Sequence, residues 1–136
     1  MGAYEGVDTM KKWQALYEFF SSFGVEAFEE NSVPTGSDKP AYPYIVYEMQ
    51  QGGFDANFDV ALAFSIIDKY DSFIPSYELA DEIANAIGDG KVIELDNGYI
   101  KIAQDSSNWA KTQRDPADNT IRRLYSVVWV TYYTNH

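Results

Sequence analysis

Few residues in this chain have the type and spacing that chemistry needs. Histidine, the commonest proton shuttle near neutral pH, occurs once, as His136 at the last position. Chain ends are poorly tied down, and a terminal histidine also fits the remnant of a purification tag. Cysteine is absent, which removes disulfides, thiolate nucleophiles and cysteine-based zinc sites. The pairs Glu29/Glu30 and Asp81/Glu82 have the residue types for acid and base work at a glycosidic bond. Adjacent side chains on an element diverge, however, so a solvated acidic surface is the better account. The segment Asp55-Ala56-Asn57-Phe58-Asp59 opens like a calcium loop, but Val60 stands at its sixth position and Ile66 at its twelfth. Without glycine and glutamate there, the ligand set does not close. Gly88-Asp89-Gly90-Lys91 follows a helical pattern instead of preceding one, so it has no helix amino-terminal amides to offer a phosphate. No catalytic residue, metal ligand or cofactor is expected.

Charge narrows the partners. The 136 residues carry 10 basic and 21 acidic side chains, a net charge of −11. Gripping nucleic-acid phosphates needs a positive patch, and the basic residues are scattered apart from Lys11/Lys12 and Arg122/Arg123, so no nucleic-acid binding is expected. An acidic surface can still line a passage along which nucleic acid slides without sticking. No stretch approaches the roughly 20 apolar residues of a membrane-spanning helix, and the amino terminus does not read as a secretory signal. A soluble intracellular protein is expected.

The elements that would position any site follow from periodicity. Trp13, Leu16, Tyr17, Phe20 and Phe23 have the spacing of one helical face, with Asp8 or Thr9 as start cap and Gly24 as stop. Val25–Glu30 reads as a short strand and residues 31–42 as a loop. In Tyr44–Met49, Ile45, Tyr47 and Met49 share one side. From Phe58, Val60, Leu62, Phe64 and Ile66 face one way while Asp59, Ala61, Ala63 and Ser65 face the other. A second helix fits 76–87, burying Tyr77, Ala80, Ile83, Ala84 and Ile87, with Pro75 at its start and Gly88 at its end. Lys91–Ala103 reads as a hairpin turning at Asn97-Gly98, which sets Leu95 opposite Ile100 and Ile93 opposite Ile102. A polar loop from Gln104 to Asn119 then leads to the strand Ile121–Tyr133, apolar on both faces. Loops of that length are usually functional or disordered. The sum is α+β, a mixed or largely antiparallel sheet of about four to five strands packed by two main helices. Such a terminal strand asks for cover, and the aromatic clusters Tyr42/Tyr44/Tyr47 and Trp129/Tyr132/Tyr133 read as core and interface packing.

Several short stretches then take on a pattern. They are W-x-x-L-Y-x-F-F-x-S-F-G from Trp13 to Gly24, Tyr42-Pro43-Tyr44-Ile45 before a long alternating strand, and Ala80-Asp81-Glu82-Ile83. They continue with Asn97-Gly98-Tyr99, the polar loop with Asp115 and Asp118, and Ile121-Arg122-Arg123 opening the last strand. In order and spacing the chain resembles the tail terminator proteins of long-tailed bacteriophages and prophages, also called tail completion or head-to-tail joining proteins. The resemblance implies a single domain over residues 1–136 that forms a ring, typically a hexamer, capping the tail tube and joining it to the head-neck connector. It implies a virion protein of the tail-neck junction, assembled in the bacterial cytoplasm, with no catalytic site and with DNA only as passing cargo. On that footing Asp55, Asp59, Asp115 and Asp118 are candidates to face the lumen or an adjoining ring. Trp109 is the candidate anchor of a joining arm, or else a ring folded back on its own core. Arg114, Arg122 and Arg123 are candidate inter-subunit ion-pair partners, or surface arginines that contribute little. Another phage neck or tail tube component is the nearest alternative; a small-ligand-binding or enzymatic α+β domain is the more distant one.

Overall fold

The computed structural model describes residues 11–48, 59–69, 72–96, 98–105, 109–114, 118 and 120–134, without the side chains of Asp59, Arg114 and Thr134. The first helix, α1, spans Lys12–Phe20. The Gln14 side-chain oxygen accepts from the Lys11 amide at 3.2 Å, the return half of a capping box. Ala15, Leu16, Phe19 and Phe20 form its buried face. Trp13 and Tyr17, expected to share that face, are 58% and 51% exposed. The apolar arc of α1 is wider than one sheet can cover, and its spacing alone does not say which flank is left out. A 3-10 turn over Ser21–Phe23 ends at Gly24 with φ +82°, the left-handed geometry that glycine adopts without strain. The caps expected at Asp8 and Thr9 lie outside the described residues.

Among the described residues seven strands form one sheet: β1 (Glu26–Glu29), β2 (Tyr44–Tyr47), β3 (Asp59–Asp68), β4 (Lys91–Leu95), β5 (Gly98–Gln104), β6 (Lys111–Arg114) and β7 (Arg122–Thr134). The helix α2, Ile74–Ile87, lies between β3 and β4 in the chain. Sheet order is β1-β2-β3-β7-β5-β4, with β6 also on β7. Only β1 and β2 run parallel; every other pairing is antiparallel. This is the expected α+β class with a mixed sheet and two helices, with more strands than expected.

The period-2 pattern of β3 does what it promises. Leu62, Phe64 and Ile66 are buried against the helices. From Asp59↔Thr131 to Asp68↔Arg122, β3 pairs with β7 along its whole length. On β7 the even positions Leu124, Ser126, Val128, Val130 and Tyr132 are buried, and they share the helix side with Ile45, Ile100 and Ile102. Phe20 seals this layer, stacked on Tyr47 with centroids 4.8 Å apart and tilted against Phe64 at 5.2 Å. α2 buries Ser76, Leu79, Ala80, Ile83 and Ile87; Tyr77 is exposed and Leu79 takes the inward place, a rotation of the expected face. α1 touches both β1 and β4, the two ends of the strand order, and Lys11 pairs with Asp96 at 2.8 Å beside β4. The sheet therefore curls around the helices and α1 closes the gap between its edges.

Two expectations about the last third are corrected. In the hairpin, Ile93 pairs with Ile100 and Leu95 with Gly98, two residues off the expected register. The turn is centred one residue earlier, and the even slip leaves every side chain on the face foreseen for it. The supposed loop 104–119 contains β6. Both β5 and β6 lie antiparallel to β7, from Gln104↔Val128 to Lys111↔Tyr125. Over that interval β7 advances three residues (128 − 125) and its partner seven (111 − 104), an excess of four. β5 and β6 are one interrupted strand, with an excursion bulging between them. Asp105 donates to the Val127 carbonyl at 3.2 Å and Ala110 to Ser126 Oγ at 2.9 Å, closing the bulge at both ends.

Candidate interaction surfaces

Among the described residues, the helices cover one face of the sheet and leave the other open. Alternation assigns to the open face Phe28, Tyr44, Val46, Ala61, Ala63, Ser65, Tyr99, Val92 and the odd positions of β7. Its small centre is shielded by its flanks: Ala63, Ser65 and Ile67 on β3 are buried, and Arg123 Nη1 donates to Ser65 Oγ at 3.1 Å. Its β4–β5–β7 corner is not shielded. Val92 is 53% exposed, Tyr99 41% and Trp129 39%, and Tyr99 stacks on Tyr133 at 4.6 Å. Among the described side chains, the charged groups on this face are Glu26, Glu30, Glu48 and Glu94 against Lys101, Lys111 and Arg123. Four acids against three bases leave it near balance on a chain of net charge −11. The acidic surplus is elsewhere: the solvent side of α2 and the turn after it carry Glu78, Asp81, Glu82 and Asp89 and no basic residue.

A second surface lies where α1 meets the edge strand β1. An apolar cavity of about 360 Å³ is framed by Trp13, Tyr17, Phe28 and Tyr47 with Glu29 at its rim. It adjoins one of about 370 Å³ that shares Tyr17, Ala27 and Phe28 and adds Glu26. Together they form a trench with two carboxylates and no lysine or arginine in its lining. The Tyr47 hydroxyl beneath it is pushed up to about 12, by burial first and then by Glu29 and Tyr17. Pattern reading missed this surface because it placed Trp13 and Tyr17 inside; the signal was an apolar arc on α1 too broad for a two-layer fold.

The residues picked from the sequence are scattered by the fold. Trp109 is a wedge in its own core, edge-on to Phe64 at 5.6 Å, which answers the choice between partner anchor and folded-back ring in favour of the second. Its Nε1 is buried with no hydrogen-bond partner among the described residues, and Ala110 beside it has φ +61°, a strained backbone for a residue with a side chain. Arg122 and Arg123 point to opposite faces: the Arg122 guanidinium lies 5.2 Å over the Phe73 ring, an intrachain contact, while Arg123 stands on the open face. Arg114 pairs through its backbone with Arg122. Asp118 shapes a turn, accepting from the Thr120 amide at 3.0 Å and hydroxyl at 2.6 Å. Those bonds, and more weakly Lys69 and Lys39, hold its carboxyl below the ordinary value. Asp59 opens β3 opposite Thr131; Asp55 and Asp115 lie outside the described residues.

One buried acid was not foreseen. Asp68, at the end of β3, is 1% exposed. Its Oδ1 accepts from the Lys69 amide at 2.7 Å, whereas Oδ2 has no hydrogen-bond partner among the described residues. Burial pushes its carboxyl up and the Lys69 amide opposes that shift. Among the described residues no group of three or more His, Cys, Asp or Glu is placed to hold a metal ion, and no helix is long and apolar enough to cross a membrane. Compared with known protein families and with curated proteins, the chain matches none.

Proposed function

We propose that this chain is a structural subunit of a phage particle: a ring component that caps the completed tail tube and joins it to the head-neck connector, with DNA passing through the ring. The observation that carries the reading is the open sheet face, aromatic and, among the described side chains, close to charge balance on an otherwise acidic chain. Exposed apolar area rimmed by polar residues marks a surface that another protein covers, and depletion of net charge with aromatic enrichment is the composition of interface centres. The acidic layer formed by α2 fits the second half of the role. A ring of such subunits would surround its passage with negative charge, which repels phosphates and lets DNA slide through. The particle's tail-neck junction is the corresponding location, and a neighbouring tube or neck component is the nearest variant of the same reading.

The test is direct. Purified protein is incubated with phage tail tubes and imaged by electron microscopy, and added density at one tube end is expected. Tubes that stay bare across a concentration series, with a tight small-molecule ligand found in the α1–β1 trench, would replace assembly with ligand binding.

A further inference from the structure

β1 is one end of the strand order and is paired only with β2. The Glu30 amide donates to the Tyr47 carbonyl at 2.9 Å, one residue beyond the Glu29↔Tyr47 pair. In a parallel ladder a residue sends its amide and carbonyl to one side and its neighbours send theirs to the other. Glu26, Phe28 and Glu30 therefore bond toward β2, while Ala27 and Glu29 turn their backbone groups outward. The Ser32 amide takes the Glu29 carbonyl at 2.8 Å. Among the described residues, the Ala27 amide and carbonyl and the Glu29 amide have no partner. Both cavities of the α1–β1 trench reach this free edge at Ala27.

We infer that the edge and the trench together take an extended segment of another protein as an added strand, one in which two apolar residues are flanked by lysine or arginine. Strand addition draws affinity from main-chain bonds and selectivity from pockets for the side chains; here the edge supplies the first and the trench the second. The site stands whether or not the chain caps a tail.

The side chains of β1 set the pattern. Ala27, part of the core layer, and Glu29 lie on the helix side, whereas Glu26 and Phe28 lie on the open side. An added strand meets β1 residue by residue. A side chain opposite Ala27 enters the apolar cavity framed by Trp13, Tyr17 and Tyr47, and one opposite Phe28 meets its ring. The two outer residues stand opposite Glu26 and Glu29, which have no cation in the trench lining. The matching order is basic-apolar-apolar-basic, the same in both directions, so it serves parallel and antiparallel addition alike. A cation at Glu29 also gains the aromatic rings around the cavity.

This chain does not contain such a segment. Its only basic residues three apart are Lys111 and Arg114, which enclose Thr112-Gln113 and are already paired in β6. β4, the other end of the strand order, reads Lys91-Val92-Ile93-Glu94, with an acid in the last place. The occupant therefore comes from a different protein.

The probe is the acetylated and amidated hexapeptide Thr-Lys-Val-Leu-Lys-Thr, titrated into the full chain and followed by nuclear magnetic resonance. Saturable binding is expected, with the Ala27 and Glu29 amides shifted and their hydrogen exchange slowed. Exchanging both peptide lysines for glutamate should abolish binding. N-methylating its two central residues should do the same, because the donor to the Ala27 carbonyl is then gone. Glu26→Gln and Glu29→Gln should each weaken binding about threefold, the scale of an exposed ion pair, with unchanged melting curves showing that the fold is kept. Three results overturn the inference: no saturable binding at millimolar peptide, or equal binding of the glutamate or of the N-methylated peptide. In the first of these the carboxylates only keep a bare edge in solution. Butylammonium bound as tightly as the peptide also overturns it, since the trench then takes a cation without the edge. Peptide capture by a chain that leaves tail tubes bare would keep this site and remove the tail role; capped tubes without peptide capture would do the reverse.

Discussion

The two faces of the sheet are built from the same strands and share almost no chemistry. On the helix side, every even position of β7 from Leu124 to Tyr132 is buried and ring packing is continuous from Phe20 through Tyr47 and Phe64 to Trp109. On the open side, the alternate residues of β7 are half-buried or exposed except Thr131, and they are mixed in polarity. A strand apolar on both faces thus serves two purposes: one set of side chains specifies the fold and the other is free to specify an assembly.

Substitutions should separate the two sets sharply. Phe20→Ala removes a fully buried ring at the centre of the helix side, and denaturant unfolding should show a loss of about 3–5 kcal/mol. Alkali should act on the same layer. Burial holds the hydroxyls of Tyr47 and Tyr132 up to about 12 against an ordinary 10.0. Because the folded values are raised, the stabilisation is intact below pH 10 and is lost as pH rises toward 12. Stability measured across that window should fall, and Tyr132→Phe should flatten part of the fall.

Asp68 has the same sign of shift at lower pH, so its stabilisation is already lost at neutral pH where that of the tyrosines is intact. Its raised folded value means that the protonated form favours folding, so its contribution is present below 3.8 and is lost as pH rises through the folded value. Asp68→Asn should therefore be more stable than the parent at neutral pH, with the difference vanishing in acid; a variant less stable at neutral pH would show that the carboxylate has a partner. The smallest effects belong to the open face. Trp129→Ala and Tyr99→Ala should each shift unfolding by about 1 kcal/mol, the scale of a cross-strand aromatic contact, while self-association is weakened. A core-sized penalty at either position would erase the distinction between the faces.

What could be read in the sequence was what alternation and turn chemistry fix locally. β3, the even side of β7, the existence of both helices and the turn residues Gly24 and Gly88 all follow from spacing and from backbone freedom. Which flank of an apolar helix faces in does not, since Trp13 and Leu16 carry equal weight in a periodicity and only the width of the sheet decides between them. β6 escaped for a related reason: Lys111-Thr112-Gln113-Arg114 has no apolar alternation, and its strand conformation comes from the neighbouring edge of β7. The candidate site was hardest to foresee: of the residues chosen for their charge, Asp118 shapes a turn, Arg122 lies over the Phe73 ring and Arg123 reaches Ser65, contacts that spacing in the sequence does not announce.

The excess of four residues between β5 and β6 can be viewed as slack in a ruler. β7 is the fixed scale: pairing with it, Lys111 opposite Tyr125, sets which way each side chain of β6 faces, so the facing strand can lengthen or shorten its excursion without turning any of them over. The bulge is therefore the place where this chain tolerates insertion, and Trp109 is the peg that keeps the slack from running free.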